Sequence, residues 1–139
     1  MASVLKVDTI TGVTTAGSIA VTGEGNSTTT NLQQGLVKAW MQLNGTGTIA
    51  IQDSFNTSSV TDNAGGDYQQ TYTNSFNNDD YAGLATSRRN SANKNYGNAT
   101  MLPTSASSTQ VCVGIEDTYN GENPLDSEYV HTAIHGDLA

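Results

Sequence analysis

The chain has 139 residues, a formal net charge of −8 at pH 7, 35% hydrophobic residues and 13% charged residues. This composition predicts one small domain with a short appended segment, whose surface is covered mainly by Thr, Ser, Asn, Gln and Gly. It argues against a nucleic-acid partner, which needs clustered Lys and Arg, and no apolar stretch approaches the roughly 20 residues of a membrane span.

Residues 1–35 are predicted to form an attachment arm and linker. The segments "SVLKVDTI" and "GSIAVTGEG" are brief β-like runs with too little apolar surface for a core of their own. In "NSTTTNLQQG", Asn26 or one of Thr28 to Thr30 is expected to cap a short helical turn that carries Leu32. Gly35 is expected to end that turn.

Residues 36–139 are predicted to form a β domain that begins with a hairpin over residues 36–56. Alternation in "LVKAWMQL" predicts a strand with one apolar face, made of Val37, Ala39, Met41 and Leu43. Asn-Gly in "NGTG" predicts the turn, because both residues tolerate positive φ. The return strand "TIAIQDSFN" is expected to place Ile49, Ile51 and Phe55 on one side.

Later segments continue the period of two. "DYQQTYT" places Tyr68 and Tyr72 on one face around Gln70, and "YAGLATS" and "QVCVGIE" are also β-compatible. Between them, "RRNSANKNYGNATM" is predicted to be a polar loop. "EYVHTAIHG" sets three residues on one face, namely Val130, Thr132 and Ile134. Frequent turn signals between short strands are typical of an all-β sandwich or barrel.

Low apolar content also bears on assembly. A chain with so little surface to bury gains little against the entropy cost of ordering, so further burial between subunits is expected. The predicted fold is therefore all-β, a small antiparallel jelly-roll-like β-sandwich with an extended N-terminal arm, assembled as an oligomer.

Reactive side chains are few. Cys112 is the only cysteine, so no intrachain disulfide forms. His131 and His135 would share one strand face about 13 Å apart, too far for one zinc ion to bind both from a single chain. A metal held by one histidine from each subunit of a trimer stays open as an alternative.

No catalytic constellation is evident. Six carboxylates could serve acid–base chemistry: Asp53, Asp67, Asp79, Asp80, Glu116 and Asp117. Asp67, Asp79 and Asp80 are expected in turns, where Asp bonds nearby backbone. The sequence shows neither a G-x-S-x-G elbow nor a complete phosphate-binding fingerprint, and "EDTYNGEN" lacks calcium-loop spacing. We therefore predict no catalytic residue, no metal site and no cofactor.

Aromatic residues in polar settings are the better functional lead, because Tyr and Trp with Asn and Asp neighbours stack on and bond to sugars. Trp40, Tyr81, Tyr96 and Tyr119 are the candidates. Burial in the β domain or at subunit contacts is the alternative for Trp40. Tyr96 and Tyr119 lie in predicted loops and are the candidates for contact with a receptor or glycan.

Several motifs, taken in order, carry a resemblance: "KAW", "NGTGT", "DSFN", "TDN" and "GDY", followed by "TNSFNNDDYAGLATS" and "YVHTAIHGD". With the leader "LKVDTITG" and "GSIAVTGEGNSTTTNLQQGL", the chain resembles the tail-fibre-type C-terminal β-domain of virion structural proteins of tailed bacteriophages. Residues 86–126 depart from that pattern. The resemblance implies a noncatalytic component on the exterior of the phage particle, typically a homotrimer, assembled in the host cytoplasm.

The predicted function is a short trimeric fibre or fibre-tip component that contacts the host surface. Its expected partners are its own copies, other virion proteins of the tail, vertex or capsid, and a host-surface glycan. Leu5, Val7 and Ile10 are predicted to dock the arm on a neighbouring virion protein by strand addition. The alternatives are a capsid decoration (cement) protein, favoured by the short chain, and a free carbohydrate-binding module.

Overall fold

A computed structural model describes residues 4–13, 19–22, 29–88, 97–107, 110–117 and 123–139. The chain divides into two compact units, Met1–Leu36 and Val37–Ala139. In the first unit, β1 (Ala20–Thr22) pairs antiparallel with β2 (Thr29–Asn31), and the single helical turn α1 (Leu32–Gly35) follows directly.

The start of α1 differs from the expectation. Asn31 is the N-cap, and its side-chain oxygen accepts hydrogen bonds from the backbone nitrogens of Gln33 at 2.8 Å and Gln34 at 3.3 Å. Of the caps predicted from sequence, Thr29 and Thr30 lie in β2, while Asn26 and Thr28 lie outside the described residues. Asn31 takes the role because it directly precedes the turn, where an Asn side chain reaches unpaired backbone N–H groups.

Residues 4–13 contain no strand. The β-like run predicted in "SVLKVDTI" is therefore wrong for its described part. Alternation of apolar and polar side chains favours an extended backbone, but a strand also needs a partner for its hydrogen bonds.

The second unit is built from antiparallel strands, which confirms the predicted all-β class. Their bounds are β3 Ala39–Asn44, β4 Ala50–Phe55, β5 Thr57–Ala64, β6 Asp67–Tyr72, β7 Ala82–Arg88, β8 Gly97–Ser107, β9 Gln110–Asp117, β10 Asn123–Pro124 and β11 Tyr129–His135. The polar loop predicted in "RRNSANKNYGNATM" is wrong at its C-terminal end, because β8 starts at Gly97 and pairs with β9. Cross-strand pairing overrides the weak β-propensity of Gly and Asn there.

Two sheets pack face to face. The four-stranded sheet has the order β4-β3-β11-β7, and the five-stranded sheet has the order β10-β9-β6-β5 with β8 also paired to β9. One core cluster joins Met41, Leu43 and Val130 of the first sheet to Tyr68 and Ile115 of the second. A second cluster at the other end of the interface contains Ala39, Tyr72, Phe76 and Ile134.

Burial follows the predicted period of two in the central strands. β6 buries Tyr68, Gln70 and Tyr72, and β11 buries Val130, Thr132 and Ile134. Alternation alone predicted that the residues of each set share a face, because successive side chains of a strand point to opposite faces, and the structure shows that this shared face is buried. β3 likewise buries Ala39, Met41 and Leu43. The predicted inward residue Val37 precedes β3 and is 36% exposed, so that strand was placed too early.

The hairpin between β3 and β4 contains a β-bulge that corrects another expectation. The register changes between Gln42, opposite Asp53, and Leu43, opposite Ile51, so Gln52 is an extra residue on β4. Ile51 consequently shares the inner face with Leu43, whereas Phe55 shares the outer face with Trp40. The prediction that Ile49, Ile51 and Phe55 lie on one side is therefore wrong for Phe55, because one inserted residue reverses the alternation.

Candidate functional site on the outer face of the four-stranded sheet

A row of apolar side chains crosses the outer face of the four-stranded sheet. Phe55 of β4 pairs with Trp40 of β3, Trp40 pairs with Ala133 of β11, and Ala133 pairs with Leu84 of β7. Residues directly opposite one another point to the same face, and neighbouring strands are about 4.8 Å apart, so the four side chains are contiguous. Phe55 is 52% exposed and Leu84 is 66% exposed. We call these four residues the apolar row.

Charge on this sheet is close to balanced, unlike that of the whole chain. In its four strands and the residues directly beside them the sequence has three cations, Lys38, Arg88 and Arg89, and two carboxylates, Asp53 and Glu128. The whole chain carries a net charge of −8. Two copies of so acidic a protein repel each other least where the local charge is near zero, so this face is the favourable place for close approach.

Toward the β3–β4 turn the same sheet bears a polar depression. It is lined by Gln42, Asn44, Gln52, Glu128 and Tyr129, which we call the amide depression. The β-bulge brings Gln52 into this lining, because Gln52 is the extra residue between the pairs Gln42–Asp53 and Leu43–Ile51. Bulges commonly redirect a side chain next to a binding site.

Two walls of the amide depression are held by specific contacts. The side-chain oxygen of Asn44 accepts hydrogen bonds from the backbone nitrogen of Thr46 at 3.0 Å and from its hydroxyl at 2.8 Å. This fixes the amide and leaves its two N–H donors directed away from Thr46. On the other side, the guanidinium carbon of Arg88 lies 4.1 Å from the centroid of the Tyr129 ring, a cation–π contact that supports the ring.

A buried clamp holds the turn behind the depression. Tyr68 shares its hydroxyl proton between the carbonyl oxygen of Gly45 and Oδ1 of Asp126, both 2.9 Å away. The nitrogen of Gly45 donates to the carbonyl oxygen of Ser127 at 2.9 Å. The clamp therefore ties the end of β3 to the segment that enters β11, and it sets the spacing between Asn44 and Tyr129.

Burial raises the pKa of Tyr68 far above its ordinary value, and the hydrogen bond to Asp126 adds to the effect. A phenolate there would lose hydration and would face a carboxylate oxygen. Burial likewise raises the pKa of Tyr72. Both phenols stay neutral at physiological pH and act as structural hydrogen-bond or packing groups.

The structure places the residues predicted for virion attachment at the surface of the first unit. Leu5, Val7 and Ile10 are 80%, 52% and 58% exposed. Tyr96 and Tyr119, predicted to contact a receptor or glycan, lie outside the described residues.

The two other aromatic candidates have different surroundings. Trp40 is half-buried and belongs to the apolar row. Tyr81 packs in an aromatic group, with its ring centroid 6.0 Å from that of Tyr72 and 4.9 Å from that of Phe76. Trp40 is thus the sugar-stacking candidate that the structure places on the outer sheet face.

The candidates for metal or acid–base chemistry whose side chains the structure describes do not form a cluster, and the side chains of Glu116 and Asp117 lie outside that description. His131 is exposed and His135 half-buried, both on the outer face of β11. Asp53, Asp79 and Asp80 are exposed, and Asp67 is half-buried. Among the described residues, no group of three or more His, Cys, Asp or Glu side chains could hold a metal ion. No helix in that same part of the chain has the length and apolar character to cross a membrane.

Sequence reasoning did not single out Gln42, Gln52 or Glu128. The outward position of Gln42 was readable from alternation along β3. The position of Gln52 beside it was not, because the bulge becomes visible only once β3 and β4 are paired. Glu128 and Tyr129 come from a segment far away in sequence that the clamp brings alongside.

Comparisons of this chain with protein-family models, with curated proteins and with solved structures find no match. What the outer sheet face does is therefore inferred from its own chemistry and from the resemblance described above.

Proposed function

We propose that this chain is a noncatalytic bacteriophage virion structural protein, a short trimeric fibre or fibre-tip component displayed on the exterior of the particle. The homotrimer and the jelly-roll-like arrangement of its strands are parts of this proposal, as is assembly in the host cytoplasm. Its support is the resemblance carried by the motifs from "KAW" to "GDY" and the exposed apolar row on an all-β domain.

The apolar row is the observation that carries the proposal. Complete burial of a Phe or Leu side chain is worth about 1.5–3 kcal/mol, so a surface that leaves Phe55 and Leu84 in water forgoes a large part of the stability of a small domain. A second copy that packs against this face, where the local charge is close to zero, buries these side chains and regains that free energy. Repeating the contact around a closed ring gives a symmetric oligomer without open ends.

Arm residues support attachment to a larger particle. Leu5, Val7 and Ile10 are exposed in a segment that contains no strand, so both their side chains and the backbone N–H and C=O groups between them are available to a sheet edge. An extended segment added to an open edge obtains affinity from main-chain hydrogen bonds and specificity from alternate side chains. Another virion protein of the tail, vertex or capsid would supply that edge.

The subunit count in solution tests the assembly. Light scattering coupled to gel filtration should give three times the chain mass for the wild type, and Leu84→Asp should dissociate the trimer because it buries a charge. Thr61→Asp, an exposed position on β5 in the other sheet, is the matched control and should stay trimeric. A wild type that is a folded monomer even at micromolar concentration contradicts the proposal.

Incorporation into the particle tests the arm. In the phage that encodes this protein, replacing Leu5, Val7 and Ile10 together by Ser should give a folded trimer that is missing from purified virions. Replacing the interleaved Lys6, Asp8 and Thr9 by Ser is the control and should leave incorporation intact. Labelling of intact particles then distinguishes a tail or fibre position from the capsid lattice, where the protein would act as a decoration protein instead.

A further inference from the structure

We propose that the amide depression is a subsite for one neutral sugar residue of a host-surface glycan. The inference deepens the proposed function and rests on it for the display of this sheet end on the particle exterior. It assigns glycan contact to Gln42, Asn44, Gln52 and Tyr129, in addition to the loop tyrosines predicted from sequence.

The hydrogen-bonding groups of the depression are available and complementary to a sugar. Among the described residues, the side chains of Gln42 and Gln52 make no hydrogen bond, and the amide nitrogen of Asn44 makes none either. A primary amide offers two donors and one acceptor within a few ångströms. Sugar hydroxyls both donate and accept, so neighbouring amides match adjacent hydroxyls better than they match a purely donating or purely accepting ligand.

Tyr129 supplies the apolar contact that sugar binding also needs. One side of its ring is supported by the Arg88 guanidinium at 4.1 Å, and Tyr129 lines the depression beside the amides. An aromatic ring offers a flat apolar surface next to a polar tip, which suits the C–H bonds and hydroxyls of a pyranose. Because Arg88 holds the ring in place, less side-chain entropy is lost when a ligand packs against it.

Charge selects a neutral ligand over an anion or a metal ion. Glu128 lines the depression and Asp53 lies next to Gln52 on the same strand, whereas Arg88 is not among the lining residues and its guanidinium packs on the Tyr129 ring. An anionic sugar or phosphate would meet the Glu128 carboxylate inside the depression and would be disfavoured. A hard cation such as Ca²⁺ needs about six to eight oxygen ligands, including several carboxylates, and the depression offers one carboxylate among amides.

Saturation-transfer NMR on the full-length protein tests the inference with defined probes: the methyl glycosides of galactose, glucose, mannose and N-acetylglucosamine, and N-acetylneuraminate as the anionic probe. At least one neutral glycoside should receive saturation from the protein, and N-acetylneuraminate should not. Gln42→Ala and Gln52→Ala should each weaken that binding about fivefold, the usual net contribution of one neutral hydrogen bond. Gln34→Ala in α1 is the matched control and should bind like the wild type.

Failure of the sugar subsite can be distinguished from failure of the proposed trimeric structural role, because light scattering gives the subunit number of the same sample that is tested for sugar binding. A trimer that binds none of the neutral glycosides, or whose binding is unchanged by both Gln42→Ala and Gln52→Ala, overturns the sugar subsite and leaves the structural proposal standing. Preferential binding of N-acetylneuraminate also overturns it. A monomer that binds a neutral glycoside through these residues supports the subsite and points to a free carbohydrate-binding module.

Discussion

Thr132 of β11 donates a hydrogen bond of 2.7 Å to the side-chain oxygen of Gln70 of β6, across the interior between the two sheets. Gln70 is fully buried, and its amide nitrogen donates to the hydroxyl of Thr57 at 2.8 Å. The Thr57 hydroxyl in turn lies 3.2 Å from the carbonyl oxygen of Trp40, in the opposite sheet. This polar bridge satisfies buried groups that would otherwise cost energy, and it fixes how one sheet lies on the other.

Replacing Gln70 by Leu should therefore destabilise the second unit by about 1–3 kcal/mol, because the buried hydroxyl of Thr132 loses its acceptor and the Thr57 hydroxyl keeps only its contacts to backbone carbonyls. Urea unfolding followed by tryptophan fluorescence measures the change. Adding Thr132→Val to Gln70→Leu should recover part of the loss, because one orphaned hydroxyl is then removed. Gln69→Leu, on the other face of the same strand, is the control and should have a smaller effect. Equal losses for both glutamine variants would show that the polar bridge has no special role.

Gly45 should not tolerate a side chain. A methyl group built there would lie 3.0 Å from the carbonyl oxygen of Ser127 and closer still to the phenol of Tyr68. Gly45→Ala should cost about 1–3 kcal/mol through overpacking, and it should also disturb the amide depression that the clamp positions.

Gly65→Ala is the matched control for Gly45→Ala. The nearest atom to its added methyl group, Oδ1 of Asp126, is 4.0 Å away, and Gly65 has no positive φ. The control should be neutral or slightly stabilising. Thermal unfolding measures the melting temperature of both variants, and we expect a lower value for Gly45→Ala only. Equal melting temperatures would contradict the close packing assigned to Gly45 in the clamp.

Alkaline pH should weaken the fold through its buried tyrosines. Because the folded pKa of Tyr68 lies above its unfolded value of about 10, the stabilisation from this phenol is complete below pH 10 and is lost as the pH rises toward the folded pKa. The free energy of unfolding should fall by about 1.4 kcal/mol per pH unit for each such tyrosine in that window. Tyr72 acts in the same direction.

Tyr68→Phe isolates the contribution of one phenol. The variant should be less stable than the wild type at pH 7, because Asp126 and the carbonyl of Gly45 lose a donor. Between pH 10 and pH 11.5, however, its stability should fall less steeply, by about 1.4 kcal/mol per pH unit. Urea unfolding at several pH values measures both slopes, and parallel slopes for the two proteins would contradict the assignment.

Two phenylalanines should respond differently to truncation. Phe76 is 2% exposed, and its ring centroid lies 4.8 Å from that of Tyr72 in the second core cluster. Phe76→Ala should cost about 3–5 kcal/mol, because it leaves a cavity in a packed interior. Phe55→Ala should change the free energy of unfolding of the separate subunit by less than about 0.5 kcal/mol relative to the wild type. It should weaken self-association instead. Chemical unfolding and the concentration dependence of the mass separate the two effects.

The sequence alone was sufficient for the all-β class and for which residues of β6 and β11 share a face, because a strand alternates its side chains with a period of two whatever it pairs with. It placed Gln70 on one face with Tyr68 and Tyr72, and sheet packing decided that this face is the buried one. The partner of Gln70 was not readable, since Thr132 is far away along the chain and only sheet packing brings the two together.

Tertiary structure alone decided the outer face of the four-stranded sheet. Phe55 joins Trp40 outside because the bulge on β4 adds Gln52 and reverses the alternation, and a bulge is a property of two paired strands. The amide depression likewise needs β3, β4 and the entry to β11 side by side. Local patterns record which way each side chain points along its own strand, whereas a binding surface depends on which strands become neighbours and in what register.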